Sequence, residues 1–363
     1  MDRRSFLTKA AVGGTAAAAA TTLAAPLYAQ GNRTLTLVTT WPRGFAGVHD
    51  AAQRCADIIT GMTDGQLTVD LKAAGELVGA FEVFDAVTSG QADMYHGADY
   101  YFVGQHPGYA YFTGVPMGMV SQELANWYYH GGGQELHDEL GQIFGLKSFL
   151  AGNTGAQCGG WFRQEIKGPE DFNGLKFRMP GLGGEALGKL GASVQNLPGG
   201  EIYQALASGA LDGTEWIGPW ADEKAGFQEI TKFYYTAGFH EPTAGLSLAM
   251  NREVFDSLTP GQQKIYEIAC GEAHQWNLAQ FLANNSAALA RLQAAGVKTL
   301  TFPDSVWDAF GKAANEVLTD PTRMSDELYK KIYDSYMASM RASSAWDKLS
   351  DGAYTAQRDR VLG

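Results

Sequence analysis

Apolar and polar residues alternate along "TLTLVTTW" (34–41), the period of two that a half-buried strand requires. The following stretch, "VHDAAQRCADIITGMT" (48–63), changes to apolar spacings of three and four, which predicts an amphipathic helix closed by glycine. "QLTVDLKA" is a second strand, and "AFEVFDAVTSGQADMYHG" reads as helix, glycine stop and short strand. From residue 160 the order returns: strand "GWFRQ", then "GPEDFNGLKFRMPG", helix "GGEALGKLG", strand "ASVQNL" and a last helix–glycine–strand. Strands alternating with helices predict a parallel sheet with crossovers, so the chain is α/β.

The two rounds share a near-copy. Glu82 to Asp93 set against Glu201 to Asp212 gives five identities in twelve positions, at Glu, Ala, Ser, Gly and Asp. In each copy glycine can supply the left-handed residue that ends a helix before a strand. Ligands of open α/β sheets sit beyond the carboxyl ends of strands. The residues after each copy, Tyr95 to Tyr101 and Glu215 to Trp220, are therefore expected to line one cleft from opposite lobes. After Pro242, "GLSLAMN" predicts a strand returning to the first lobe, and Thr259-Pro260 opens one long helix or two. "KTLTFP" is a further strand. From Ser305 the chain is mostly helical, and "SDELYKKIYDSYMASMRAS" is amphipathic enough to cover its own core or a second subunit. The expected division is 31–153 with 243–290 for lobe 1, 154–242 with 291–320 for lobe 2, and 321–363 as C-terminal helices.

Composition supports a large core: 363 residues, 45% hydrophobic and 18% charged. Residues 1–29 read as a processing segment, with Arg3-Arg4-Ser5-Phe6-Leu7 before an Ala/Gly/Thr-rich run and Ala29 as the cleavage residue. The paired arginines look like a twin-arginine export signal. No later stretch is long and apolar enough to span a bilayer, which predicts an exported periplasmic chain. Removing a segment that carries +2 from a net −12 leaves about −14, a balance that disfavours nucleic acid and anionic lipid as partners. Cys55, Cys158 and Cys270 are too widely spaced for a metal knuckle, and burial as small apolar residues is their expected fate.

Enzyme templates fit poorly. His130 and His137 lie too far apart for a helical metal pair. Ser247 in "GLSLA" only half-resembles a nucleophile elbow, since it falls within a strand. Gly181 to Ala186 follows a strand and opens a helix, as a dinucleotide loop would, and makes an exported cofactor-dependent oxidoreductase the alternative reading. The next strand, however, lacks the acid that would hold a ribose. A binding site fits better. Arg178 ends the strand "GLKFRM", where its guanidinium offers a rigid two-pronged donor for a carboxylate. Gln157 in "NTGAQCGG" offers an amide oxygen to a cation or a side-chain hydrogen bond to a ligand, and Glu215 directly after Gly213-Thr214 and Glu241 before Pro242 add the carboxylate oxygens that a hard cation prefers.

The run "EDFNGLKFRMPG … GASVQNLPGGEIYQALASGALDGTEW" resembles the extracytoplasmic solute-binding proteins of TRAP transporters, and more narrowly their 2-oxoacid-binding branch. The likeness extends over essentially the whole mature chain. It implies a two-lobed periplasmic-binding-protein-like fold with a ligand cleft between lobes, a long C-terminal helical segment, and no catalysis. It further implies an arginine clamp, matched by Arg178, and a bridging cation on Gln157, Glu215, the Trp216 carbonyl and Glu241. Tyr101 would contribute from the first lobe. Sodium is favoured over calcium. Implied partners are TRAP membrane permease subunits and a second copy of the chain. One cationic clamp suits a pyruvate-like monocarboxylate. Lactate remains an alternative, as does a C4-dicarboxylate should Arg43 or Arg163 swing in.

Overall fold

The structure, a computed structural model, describes residues 32–363. The export signal expected at 1–29 lies outside them. Strands β1 (Arg33–Thr39), β2 (Leu67–Lys72), β3 (Met94–Gly97) and β4 (Leu146–Asn153) come first along the chain. Then follow β5 (Gly160–Phe162), β6 (Lys176–Arg178), β7 (Ser193–Gln195), β8 (Gly213–Thr214) and β9 (Phe233–Tyr235). The last two are β10 (Gly245–Asn251) and β11 (Lys298–Leu300). They form two sheets, ordered β2-β1-β3-β10-β4 and β11-β9-β5-β8-β6-β7.

Each sheet contains the same parallel trio, β2-β1-β3 in one and β7-β6-β8 in the other. An antiparallel strand, β10 or β5, closes each trio. The sheets are thus mixed, where alternation alone predicted parallel pairing. β10 makes the difference in the first lobe: it arrives late in the chain, inserts between β3 and β4, and is buried along almost its whole length. Its unbroken apolar run is what a strand covered on both faces needs.

The sequence repeat is a structural repeat. Gly90 and Gly209 both take the left-handed conformation, at φ 79° and 77°. Ser89 N–H donates to Asp85 as Ser208 does to Gln204, and Ala92 donates to Ala86 as Leu211 does to Ala205. The repeated acids do one job: Asp93 Oδ2 accepts from Thr36 N–H at 2.7 Å, and Asp212 Oδ2 from Lys176 N–H at 2.9 Å. Each thereby fastens the helix–glycine–strand turn to the neighbouring central strand.

Two crossovers, 154–159 and 236–244, join the sheets and are hydrogen-bonded to each other. Gln157 N–H donates to the Glu241 carbonyl at 3.1 Å, and Gly238 N–H to the Gln157 carbonyl at 2.9 Å. The third link is one unbroken helix, Pro260–Ala294, capped by the Thr259 hydroxyl and started by proline. It packs on β4 in lobe 1. In lobe 2 it reaches the Pro219–Ala225 helix, where Asn285 accepts from Trp220 N–H.

The helix Glu327–Asp347 folds back on lobe 1 of its own chain. Tyr336 Oη accepts from Met119 N–H at 2.6 Å, Trp127 Nε1 donates to Ser335, and Tyr111 pairs with Tyr329. Its buried tyrosines are therefore already used within the monomer. The following helix, Asp351–Leu362, buries none of its residues. All three cysteines are buried and free.

Candidate functional site

β6 and β8 are parallel neighbours, with Arg178 beside Thr214 in the register. Both therefore end at the same edge of the second sheet, and the next residue of the second strand is Glu215. This local geometry brings Arg178 and Glu215 together as an ion pair whose side chains are fully buried. Arg178 Nε also donates to the Leu197 carbonyl at 3.0 Å, and Nη2 to Tyr101 Oη at 3.4 Å. One N–H on each terminal nitrogen remains available. The guanidinium lies 5.3 Å from the Trp216 ring. Burial opposes its charge, but Glu215, Tyr101 and Tyr100 together leave its pKa raised.

The crossovers deliver the other polar groups. Gln157 Nε2 donates to Glu241 Oε1 at 3.1 Å and to Thr154 Oγ1 at 3.3 Å. Its Oε1 is buried with no hydrogen-bond partner among the described residues. Such an orphaned acceptor is costly to leave unmet. Burial pushes the Glu241 carboxyl well above the ordinary range, and the Glu215 charge adds to the push; Arg178 and the Tyr100 hydroxyl oppose it. His240 Nε2 sits 3.3 Å from Glu215 Oε2. Glu215, His240 and Glu241 each bring one donor atom into a group spanning no more than 4.8 Å. With Gln157 Oε1 alongside, the donor set fits a cation held mainly by oxygen.

Lobe 1 contributes aromatic walls. Trp41 packs edge-on to Trp216 at 6.3 Å and Phe45 does so at 5.9 Å. Trp41 is itself fixed by its Nε1 donating to His96 Nδ1 at 2.9 Å. A cavity of ≈ 10 Å³ lies among Trp41, Tyr100, Tyr101, Thr154, Gln157 and Trp216, room for about one water in this closed arrangement. More capacious hollows exist on the outer face of each lobe, away from these groups. The chemistry lies in the small central cavity.

The six residues expected to hold solute or cation, Arg178, Gln157, Tyr101, Trp216, Glu215 and Glu241, converge here. Arg178 also pairs directly with Glu215, a contact the sequence does not announce. Two expectations change. Tyr95 is buried in lobe 1 at 3.4 Å from Asp99, so only Tyr100 and Tyr101 of the 95–101 stretch reach the cleft. Trp220 packs on Phe281 instead of lining the site. His240 and Trp41 were missed. His240 had one signal, its place beside Glu241, and Trp41 had only its position at the end of a strand.

The enzyme alternatives lose their residues. A Cβ on Gly184 would lie 2.3 Å from the Met179 carbonyl, so this glycine lets the helix Gly181–Lys189 approach its strand. Gly183 faces His240 in the same way. Ser247 donates to Asp99 at 2.6 Å, with His137 3.1 Å from the same oxygen. The carboxylate stands between serine and histidine, so histidine cannot take the serine proton as a triad requires. Arg43 pairs with Glu76 at the surface, and Arg163 donates to the Leu206 and Leu211 carbonyls. Neither lines the cleft.

The family model for bacterial extracellular solute-binding protein, family 7, matches residues 38–323. The monocarboxylate 2-oxoacid-binding periplasmic protein of Nostoc sp. is 38% identical over 321 residues, covering 88% of this chain and 87% of its own. A TRAP periplasmic solute-binding protein from Pseudoalteromonas atlantica, solved with sodium and pyruvate, is 39% identical with a TM-score of 0.86, covering 90% of this chain and 99% of its own. Its counterpart from Colwellia psychrerythraea, with calcium and pyruvate, is 37% identical at TM-score 0.87 over the same shares. A TRAP solute-binding protein from Bordetella bronchiseptica, a mixed-occupancy dimer with copurified calcium and picolinate, is 32% identical at TM-score 0.89, covering 92% and 98%. Their two-lobed fold is the fold described above.

Proposed function

This chain belongs to the bacterial extracellular solute-binding proteins of family 7, and we propose that it captures a small 2-oxo monocarboxylate of pyruvate size between its lobes. The family consists of extracytoplasmic receptors, so the protein binds its solute without transforming it. No helix among the described residues is long and apolar enough to cross a membrane.

The observation that carries the ligand class is the buried Arg178–Glu215 pair beside an unpartnered Gln157 Oε1. The free N–H groups of Arg178 receive the ligand carboxylate, and Tyr101, already bonded to Arg178, donates its hydroxyl from lobe 1. Gln157, Glu215, the Trp216 carbonyl and Glu241 hold the cation, which supplies a Lewis-acidic contact for the 2-oxo oxygen. Pyruvate in two related structures, and picolinate in a third, are carboxylates with a second donor atom adjacent, as chelation requires.

Charge bookkeeping favours this class. Arg178 is the fixed cation of the closed cleft among the described residues, so the second carboxylate of a C4-dicarboxylate would face Glu215 and Glu241 without a partner. Arg178, the two glutamates and a ligand carboxylate sum to two negative charges, which a divalent ion balances; with one acid neutral the sum is one negative charge, which a monovalent ion balances. Sodium is the favoured ion of this proposal and calcium the alternative.

Closure of the cleft removes water and strengthens each of these contacts. It brings Trp41 and Phe45 of lobe 1 against Trp216 of lobe 2. The closed form then delivers its solute to TRAP permease subunits. Homodimerisation through the exposed C-terminal helix and twin-arginine export complete the reading. The deciding experiment is titration calorimetry with pyruvate in sodium-free, chelator-treated buffer, repeated with sodium or calcium restored. Tight binding only with cation supports the proposal. Cation-independent binding of a dicarboxylate overturns it.

A further inference from the structure

The geometry points to Asp222 as the positioning residue of the cation site, acting through the Trp216–Ile217 peptide. This rests on the preceding reading that the Trp216 carbonyl is a cation ligand.

Asp222 is a fully buried carboxylate outside the cluster just described, with no cation paired to it among the described residues. Four donors surround it. Oδ1 accepts from the backbone N–H of Ile217 at 3.0 Å and of Gly218 at 3.1 Å. Oδ2 accepts from Trp161 Nε1 at 2.9 Å and from Tyr234 Oη at 2.8 Å. A buried charge held this way, with two of its four donors in the backbone just after Trp216, calls for a reason beyond stability.

Peptide planarity supplies the reason. The N–H of Ile217 and the C=O of Trp216 belong to one rigid trans unit and point in opposite directions. Fixing the N–H on Asp222 therefore aims the Trp216 carbonyl away from the Trp161–Tyr234 interior of lobe 2. The neighbouring carbonyls are committed elsewhere: that of Glu215 accepts from the Thr214 hydroxyl, and that of Ile217 from Cys158 N–H at 2.9 Å. The last bond also ties the segment to the crossover bearing Gln157. Asp222 does more than orient. A carboxylate on the N–H side of a peptide polarises it and raises electron density on its carbonyl oxygen, which strengthens that oxygen toward a cation. Outer partners of this kind commonly account for about 10–100-fold in metal affinity.

The test uses the mature protein and reads two constants: the sodium or calcium midpoint at saturating pyruvate, and the pyruvate Kd at saturating cation. Asp222→Asn keeps an oxygen for the two backbone N–H groups and loses the charge. Asp222→Ala loses both. The expected result is a cation midpoint weakened about tenfold in Asp222→Asn and further in Asp222→Ala, with pyruvate Kd at saturating cation changed less than about threefold. Tyr235→Phe, which removes hydrogen bonds to Ile166 elsewhere in lobe 2, controls for general destabilisation and should leave both constants unchanged. An unchanged cation midpoint in a folded Asp222→Asn protein overturns the inference, as does an equal loss in both constants. Should the wild-type protein bind pyruvate with no cation dependence, the underlying reading fails, and this inference with it.

Discussion

Arg178 and Glu215 face each other as a fully buried ion pair, although 37 residues separate them in the chain. Each is the other's counter-charge, so neither can be removed without stranding its partner. Removing one member of a buried pair typically costs about 3–5 kcal/mol, far above the cost at a surface.

Arg178→Ala should therefore lower stability by roughly that amount and abolish pyruvate binding, because Glu215 is left uncompensated. Arg178→Lys separates the two effects. Its ammonium can hold Glu215 but not also the Leu197 carbonyl and a planar carboxylate. We expect a folded protein whose pyruvate affinity falls at least about tenfold, measured by calorimetry alongside thermal unfolding.

Glu241→Gln tests the cation cage with little change of shape. It retains an acceptor for Gln157 Nε2 and removes an ionisable ligand. The expected outcome is a weakened calcium midpoint with a smaller change for sodium, since the divalent ion depends more on a second negative oxygen. Equal effects on both ions would show that Glu241 contributes no charge to the site.

The pH dependence of stability should carry the mark of Asp222. Burial raises its pKa to about 6 from an ordinary 3.8, against the pull of Trp161, Ile217 and Tyr234. The folded state then binds the proton more tightly than the unfolded chain, so this group's contribution to stability falls as pH rises between those values. Urea unfolding of ligand-free protein should show wild type losing about 1–2 kcal/mol relative to Asp222→Asn between pH 5 and pH 7.5. A constant difference across that interval contradicts the assignment.

Gly90→Ala and Gly209→Ala should behave alike. Both positions have left-handed φ, and a Cβ at either would meet nothing within 4 Å. Only backbone strain is charged, about 1–2 kcal/mol at each. Matching losses with unchanged pyruvate affinity would confirm the repeat as a purely structural device. A loss confined to one lobe would break the equivalence.

The exposed tail makes a separate prediction. Trp346, Leu349, Tyr354, Val361 and Leu362 are each more than 60% exposed, while the tyrosines of the preceding helix are spent on lobe 1. Truncation after Asp347 should convert a dimer to a monomer by light scattering and leave pyruvate Kd within about twofold. A wild-type monomer at micromolar concentration would refute dimerisation.

Much of this protein was written in local pattern. Periodicity placed β1, β2, the 48–62 helix and the returning strand β10, because burial of one face is a property of consecutive residues. The repeat announced two lobes, since identical turn chemistry at Gly90 and Gly209 needs only the neighbouring residues. Arg178, Glu215, Gln157 and Glu241 stood out as polar side chains at strand ends and crossovers. Tertiary structure alone decided what those residues do to one another. That Arg178 pairs with Glu215 follows from the register of β6 on β8. That Asp222 turns inward to hold a peptide follows from Trp161 and Tyr234 waiting in another part of lobe 2; in sequence it is one more acid in the first turn of a helix. The Tyr329–Tyr336 face met its own lobe because Tyr111, Met119 and Trp127 were within reach. Burial and pairing depend on distances through space, and residues far apart in the chain settle those together.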